Sequence, residues 1–395
     1  MLLTDAQERS APAACEALSR SGYRVGAAGS DRPAPGQWSR HCDERVHVPD
    51  PRDDSRAFAA AVAETAAGHG FDTVMPGSDA AVLALSTHRD LFPPQVALGL
   101  PSPEVVDVCL SKACLAEHAS AVGLAAPGTV ACENRAQALA AAAELGFPVL
   151  VKHRGTAVRG DGGIRQRGSV IALDEEGLRH VLADFGLPCL LQRRVTGAVH
   201  SVGGVVAEGR LLGVATSRYV RTWPAAAGSV SFSVSLRLAP ALALKVERFI
   251  AAVRWQGIFE LELIEVDAGE FAAIDFNPRL YGSLALAVDA GAPLPTIWCD
   301  WLLAGRAASC EARSGAYYRW SDADLRHAAA HLRSGRFAAA LRVARPRRGT
   351  SHPYHRRRDP APAIARALQI LRHRLPRWLG GVPSPSPMES DGARA

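Results

Sequence analysis

The chain has 395 residues, 48% hydrophobic and 21% charged, so two to four domains of ~100–200 residues with packed cores are expected, and a disordered or fibrous protein is excluded. No uncharged apolar run approaches the ~18–20 residues of a membrane span, and the eight cysteines form no C-x-x-C pair, so a cytoplasmic protein with reduced thiols, no structural zinc and no membrane partner is expected. The net charge of +6 is local: residues 326–377 hold 14 arginines against one acid, Asp359, and the remainder is mildly acidic.

Short strands at 2–4, 23–27, 46–48 and 73–75 alternate with Ala/Leu-rich helices at 7–20, 56–68 and 78–88, the pattern of a small parallel α/β layer. Its first turn, Thr4–Glu8, lacks the G-x-G-x-x-G of a dinucleotide site, so a nicotinamide cofactor is not expected. Pro101 and Pro103 close this unit, giving a first domain over 1–104. A second unit, 105–192, follows: a helix over 104–122 carrying Lys112, a strand at 127–131, and a helix at 134–145 ended by Gly146 and Pro148. It continues with a buried strand, 149–152, that ends on Lys152. A glycine-rich stretch with Gly155, Gly160, Gly162, Gly163 and Gly168 leads to a returning strand at 169–172, a helix at 174–184 and a strand at 188–192. A third unit, 193–305, has strands at 199–206, 210–217 and 229–237, a helix at 239–255, and a hairpin of 258–266 with 271–276 turning at Asp267-Ala268-Gly269-Glu270. Helices at 283–290 and 295–304 complete it. The segment 306–378 reads as an Arg-rich helical extension, and 379–395 has the composition of a disordered tail.

Two groups of residues carry chemistry. On the hairpin strands, Asp275 and Asn277 share a face by parity and Glu262 can sit opposite, giving two carboxylates and an amide, a hard-oxygen set suited to Mg²⁺ bridging phosphates. Pro278 ends the pairing, so Arg279 emerges at the rim beside them. The other group is defined by scarcity. Of 45 basic residues only Lys112, Lys152 and Lys245 are lysine, and where arginine is so favoured a retained lysine marks a position that needs a compact ammonium. Lys152 leaves a buried strand beside a loop whose glycine amides are further phosphate donors. Lys245, on an ordinary amphipathic helix, reads as surface.

Taken in order, Leu110-Ser111-Lys112, Phe147-Pro148-Val149-Leu150-Val151-Lys152 with its glycine loop, Leu191-Gln192-Arg193-Arg194-Val195-Thr196-Gly197, and Glu262 followed by Asp275-Phe276-Asn277-Pro278-Arg279 resemble the ATP-grasp superfamily. The likeness covers roughly residues 1–305 and is greatest to the carboxylate–amine ligase branch. It implies an α/β fold (with α+β elements): a Rossmann-like pre-ATP-grasp domain, a small lid subdomain and a C-terminal antiparallel-sheet subdomain, here followed by the Arg-rich extension. It implies that Lys112, Lys152 and the loop glycines Gly160, Gly162 and Gly163 contact ATP phosphates, and that Gln192 with the backbone of Arg193 and Val195 reads adenine. Glu262, Asp275 and Asn277 would hold one or two Mg²⁺, or Mn²⁺ in their place. Arg279 would steady the transferring phosphoryl group, and Arg221 would face a substrate phosphate or carboxylate.

The implied activity is ADP-forming: a carboxylate becomes an acyl phosphate and an amine displaces phosphate to give an amide. The partners are a small carboxylate and a small amine, an amino acid or short peptide, and the family also allows homo-oligomers. Two departures bear on this. The acid expected to grip the ribose after the hinge is missing, with His200 as its candidate substitute, and Asp275 stands where glutamate is commoner. The competing readings are a nucleotide-binding protein of weak or no turnover, and a nucleic-acid grip in 326–377. That segment is poor in the aromatics that stacking requires, which argues against nucleic acid.

Overall fold

The computed structural model describes residues 1–160, 163–165, 168–225 and 228–374. Gly162 of the glycine loop and the whole 379–395 tail lie outside them.

The N-terminal region forms a four-stranded parallel sheet in the spatial order Glu44–His47, Gly26–Gly29, Leu2–Leu3, Val74–Met75. Its strands are short and its central ones fully buried, as a parallel sheet covered on both faces requires. The helices Ser55–Gly68 and Asp79–Thr87 begin where Asp54 and Ser78 accept hydrogen bonds from the backbone N–H of Ala57 and Ala81.

The expected helix over 104–122 is two helices, Pro103–Leu110 and Lys112–Ala121. Ser111 breaks it: extended backbone there lets its hydroxyl cap the second helix at Cys114 N–H. A second sheet, antiparallel in the order Thr129–Cys132, Cys189–Arg193, Val149–Lys152, Val170–Ala172, packs against the helices Arg135–Leu145 and Glu175–Phe185 around a small core that includes Leu178, Leu191 and Val151.

The third sheet has eight strands. Its main path runs Glu270–Asn277, Gly257–Asp267, Ala198–Ala207, Arg210–Trp223, Ser229–Leu236, Tyr317–Arg319, Thr350–Ser351, with Cys310–Glu311 paired beside Arg210–Trp223. The last two strands of the path belong to the Arg-rich extension, which is therefore not helical throughout; its helices are Ser321–Arg333, Phe337–Ala344 and Ala361–Arg374. Two large cores join the N-terminal layer to this sheet, one around Phe58, Phe71, Phe249, Phe259 and Phe276, the other around Leu3, Leu18, Leu284, Trp298 and Tyr318.

The extension is bonded to both bodies. Arg356 pairs with Glu16 at 2.5 Å and with Asp289 at 2.7 Å, and the buried Asp359 accepts from Ser39 Oγ at 2.5 Å and Arg40 N–H at 3.1 Å. Arg366 pairs with Asp322 at 2.7 Å. No helix among the described residues is long and apolar enough to cross a membrane.

Candidate functional site

The strands Gly257–Asp267 and Glu270–Asn277 pair with Glu262 directly opposite Asp275 and Glu260 opposite Asn277. Because side chains alternate faces along a strand, these four oxygen-bearing groups share one face of the large sheet. Ser201, opposite Glu262 on the next strand, shares it too. Tyr219 reaches across from the strand Arg210–Trp223, its hydroxyl 2.7 Å from Glu262 Oε1 and 3.3 Å from Glu260 Oε1. Glu260 is the buried hub: it accepts from Ser201 Oγ at 2.8 Å, Asn277 Nδ2 at 3.2 Å and Ser283 Oγ at 3.4 Å. Burial, then the neighbouring carboxylates Glu260 and Asp275, push the Glu262 carboxyl up to about 8; burial also raises that of Glu260.

Two of the chain's three lysines point at this face from separate elements. Lys112 starts the helix Lys112–Ala121, where its N–H donates to Arg154 C=O, and its Nζ stands 3.8 Å from Asp275 Oδ1. Lys152 ends the strand Val149–Lys152 with its side chain buried and its Nζ donating to Ile274 C=O at 3.3 Å. Burial lowers the Lys152 ammonium to about 8, with the neighbouring charge of Lys112 adding to the effect and Asp275 and Glu262 opposing it. Lys245 has no part in the arrangement; it lies on the helix Pro240–Val253 near Gly123.

The glycine stretch forms a small hairpin of Val158–Gly160 and Gly163–Arg165. It docks on the N-terminal layer through Ile164 N–H, which donates to Arg52 C=O at 2.9 Å. Gly163 has φ +140, and a Cβ there would meet Arg52 O at 1.8 Å, so only glycine permits the approach. Gln192 is buried on the strand Cys189–Arg193, donating to Thr129 Oγ1 at 3.0 Å while its Oε1 has no hydrogen-bond partner. The N–H of Arg193 is already used by Gly128 C=O at 2.8 Å, leaving its carbonyl as the group it can offer. Val195 lies, half-buried, in the link to the next strand.

Three expected side chains are differently engaged. Arg279 is held bidentately by the fully buried Asp79, Nε to Oδ1 at 2.7 Å and Nη2 to Oδ2 at 3.1 Å, and also donates to Asn277 Oδ1 at 2.9 Å and Leu280 C=O at 2.9 Å. Arg221 is turned away from the face bearing Glu262 and Asp275. A bulge at Val220 shifts the register so that Tyr219 opposes Ser233 but Arg221 opposes Phe232, and its guanidinium stacks 4.6 Å over Phe232 while pairing with Asp324 at 2.6 Å. His200, one residue from Ser201, points to the opposite face by the same alternation and bonds Glu265 at 3.2 Å. Sequence reasoning missed Glu260, Tyr219 and Asp79. The alternation Glu260-x-Glu262 was a usable signal for the first; nothing local marked the other two.

The donor set fits Mg²⁺. Asp275 Oδ1 is buried with no hydrogen-bond partner, and the crowded carboxylates resist ionisation together unless a cation joins them. Among the described residues no three acidic, His or Cys side chains close around one point.

No protein-family model matches the sequence, and the search of curated proteins finds no match. Solved structures do match. N5-carboxyaminoimidazole synthetase from Staphylococcus aureus, complexed with ADP, is 12% identical with a TM-score of 0.61 over 80% of each chain. Carboxyaminoimidazole ribonucleotide synthase from Aspergillus clavatus, complexed with ATP, is 15% identical at a TM-score of 0.62 over 80% of each chain. L-amino acid ligase from Bacillus licheniformis is 15% identical at 0.56 over 77% of this chain and 74% of that one. At such identities the likeness is one of fold, and the fold is ATP-grasp.

Proposed function

We propose that this ATP-grasp chain is an ATP-dependent carboxylate–amine ligase that forms ADP and phosphate. The observation that carries the reading is the convergence of Lys112 and Lys152, two of only three lysines in 395 residues, on the face bearing Glu262 and Asp275. A basic pair facing a carboxylate pair is the charge pattern needed by a metal-bound polyphosphate. That matched solved structures hold ADP or ATP, and that one is an amino acid ligase, supports the same reading.

In this reading Glu262 and Asp275 hold the cation, which when bound neutralises phosphate oxygens during transfer. Lys112 and Lys152 offset the γ-phosphate charge, and Gln192 Oε1 with the Arg193 carbonyl accepts from the adenine amino group. The Gly160 and Gly163 backbone of the hairpin covers the phosphates. A substrate carboxylate oxygen attacks the γ-phosphorus, the bond to the β-bridging oxygen breaks, and ADP leaves. The amine then attacks the acyl carbon and expels phosphate. Positioning and charge stabilisation do the catalysis, and no side-chain nucleophile is required. The carboxylate donor is an amino acid or short peptide, matching the small-molecule class that the amino acid ligase acts on.

Thermal stabilisation by the non-hydrolysable analogue AMPPNP with Mg²⁺, followed by ADP release across a panel of amino acids, tests this. Stabilisation that needs both components supports it. No response to Mg·AMPPNP overturns the nucleotide assignment, and nucleotide binding with no ADP release from any carboxylate–amine pair returns the chain to the class of non-catalytic binders.

A further inference from the structure

One chain of hydrogen bonds runs from the N-terminal domain into the proposed metal face. It begins at Asp5, in the first turn of the parallel layer, whose Oδ1 accepts from Ser78 Oγ at 2.8 Å and whose Oδ2 accepts from Gly77 N–H at 3.2 Å. Ser78 caps the helix Asp79–Thr87, so Asp5 fixes the point from which Asp79 projects. Asp79 then grips Arg279 through both carboxylate oxygens. Arg279 Nη2 donates to Asn277 Oδ1, Asn277 Nδ2 donates to Glu260 Oε2, and Tyr219 joins Glu260 to Glu262. Every link is 3.3 Å or shorter.

We propose that Asp79 is a positioning residue of the phosphoryl-transfer site, holding Arg279 and through it the side-chain orientation of Asn277 and Glu260 from a domain that contributes no metal ligand itself. The proposal rests on the nucleotide reading above. An arginine between two amide or carboxylate acceptors has two stable aims, toward the acceptors or toward incoming phosphate. Asp79 settles the choice, because its planar bidentate pairing fixes the guanidinium plane as well as its position. The plane in turn dictates which way Asn277 faces: with Oδ1 on Arg279, its Nδ2 is left for Glu260, and Glu260 keeps its other oxygen for Ser201, Tyr219 and Ser283. Were Asn277 to flip, an amide N–H pair would meet the guanidinium and Glu260 would lose a donor.

Removal of such outer partners of a metal site typically costs ~10–100-fold in metal affinity or activity. Two variants separate positioning from plain charge compensation of a buried arginine. Asp79→Asn keeps the shape and removes the charge; Asp79→Glu keeps the charge and moves it by one methylene. The readout is the Mg²⁺ concentration for half-maximal AMPPNP binding, measured by calorimetry beside Mg²⁺-free AMPPNP affinity and melting temperature. Both variants are expected to need roughly 10-fold more Mg²⁺, with Mg²⁺-free nucleotide affinity nearly unchanged. If one of them fails to fold, the other decides. An Asp79→Glu protein with wild-type Mg²⁺ dependence overturns the proposal, because charge alone would then suffice; so does wild-type dependence in Asp79→Asn. Failure of the wild-type protein to bind Mg·AMPPNP is a different result, which removes the nucleotide reading and this inference with it.

Discussion

Replacing Glu262 by Gln moves stability and activity in opposite directions. Glu262 is opposed across the strand pair by Asp275, neighbours Glu260 and accepts the Tyr219 hydroxyl at 2.7 Å, and its carboxyl titrates near 8 in the folded protein against 4.5 ordinarily. A raised folded-state pKa means that the native protein binds a proton the unfolded chain has released. Stability without metal is therefore full below about pH 4.5, falls as pH rises, and has lost the whole increment above about pH 8. Counting the entire shift gives at most about 5 kcal/mol. Because Glu262 is only partly buried and shares the repulsion with Glu260, about 2 kcal/mol is the better expectation. The variant keeps the acceptor for Tyr219 and carries no charge, so at pH 8.5 it should unfold at higher urea than the wild type, and at pH 5 at nearly the same urea. Stabilisation by Mg·AMPPNP should shrink to the small Mg²⁺-free value. Urea midpoints at pH 5, 7 and 8.5, each with and without Mg·AMPPNP, check this. If Glu262→Gln is less stable than wild type at pH 8.5, the repulsion does not exist; if it keeps the full Mg·AMPPNP response, Glu262 is not a ligand.

Further outcomes follow from the same geometry. Lys152→Met should lower ATP turnover by about 100-fold or more with the fold intact, while Lys245→Met stays near wild type, both read by coupled ADP assay. Turnover should yield ADP and orthophosphate in step with product; AMP and pyrophosphate by ion-exchange chromatography would exclude acyl phosphate formation. Asp324→Ala should destabilise by roughly 3 kcal/mol, read as a lowered urea midpoint, because it strands Arg221 and Arg319, which both pair with that buried carboxylate.

Much of the fold was legible because its signals are local. The alternation of short apolar runs with Ala-rich helices specified the parallel layer, and the Asp267–Glu270 turn fixed the hairpin that puts Glu262 opposite Asp275. Lysine scarcity was legible too, since codon-level pressure toward arginine leaves exceptions visible in composition alone. What was not legible depends on events between strands. A single bulged residue, Val220, turns Arg221 onto Phe232 and Asp324, and no propensity of the Tyr219–Trp223 segment announces it. Asp79 meets Arg279 across 200 residues of chain, a distance over which no periodicity speaks. The face His200 takes is a matter of strand parity, available from Ser201 once Ser201 was known to oppose Glu262.

The Arg-rich extension is where composition and structure diverge most, and the divergence has a physical basis. An excess of arginine makes an exposed cationic surface only when the acids that answer it are missing from the fold as well as from the neighbouring sequence. Here they are not. Arg356 finds Glu16 and Asp289, Arg372 finds Asp31, and Asp359, the one acid of residues 326–377, accepts from Ser39 and Arg40 of the N-terminal layer. A guanidinium offers five N–H donors in a fixed fork, so one arginine can tie together carboxylates from two elements, which lysine does poorly. The extension thus straps the N-terminal layer to the large sheet, to which it also adds the strands Tyr317–Arg319 and Thr350–Ser351. Since Asp79 and Arg279 lie on opposite sides of the same junction, a strap that keeps the two bodies in register also keeps that ion pair aligned.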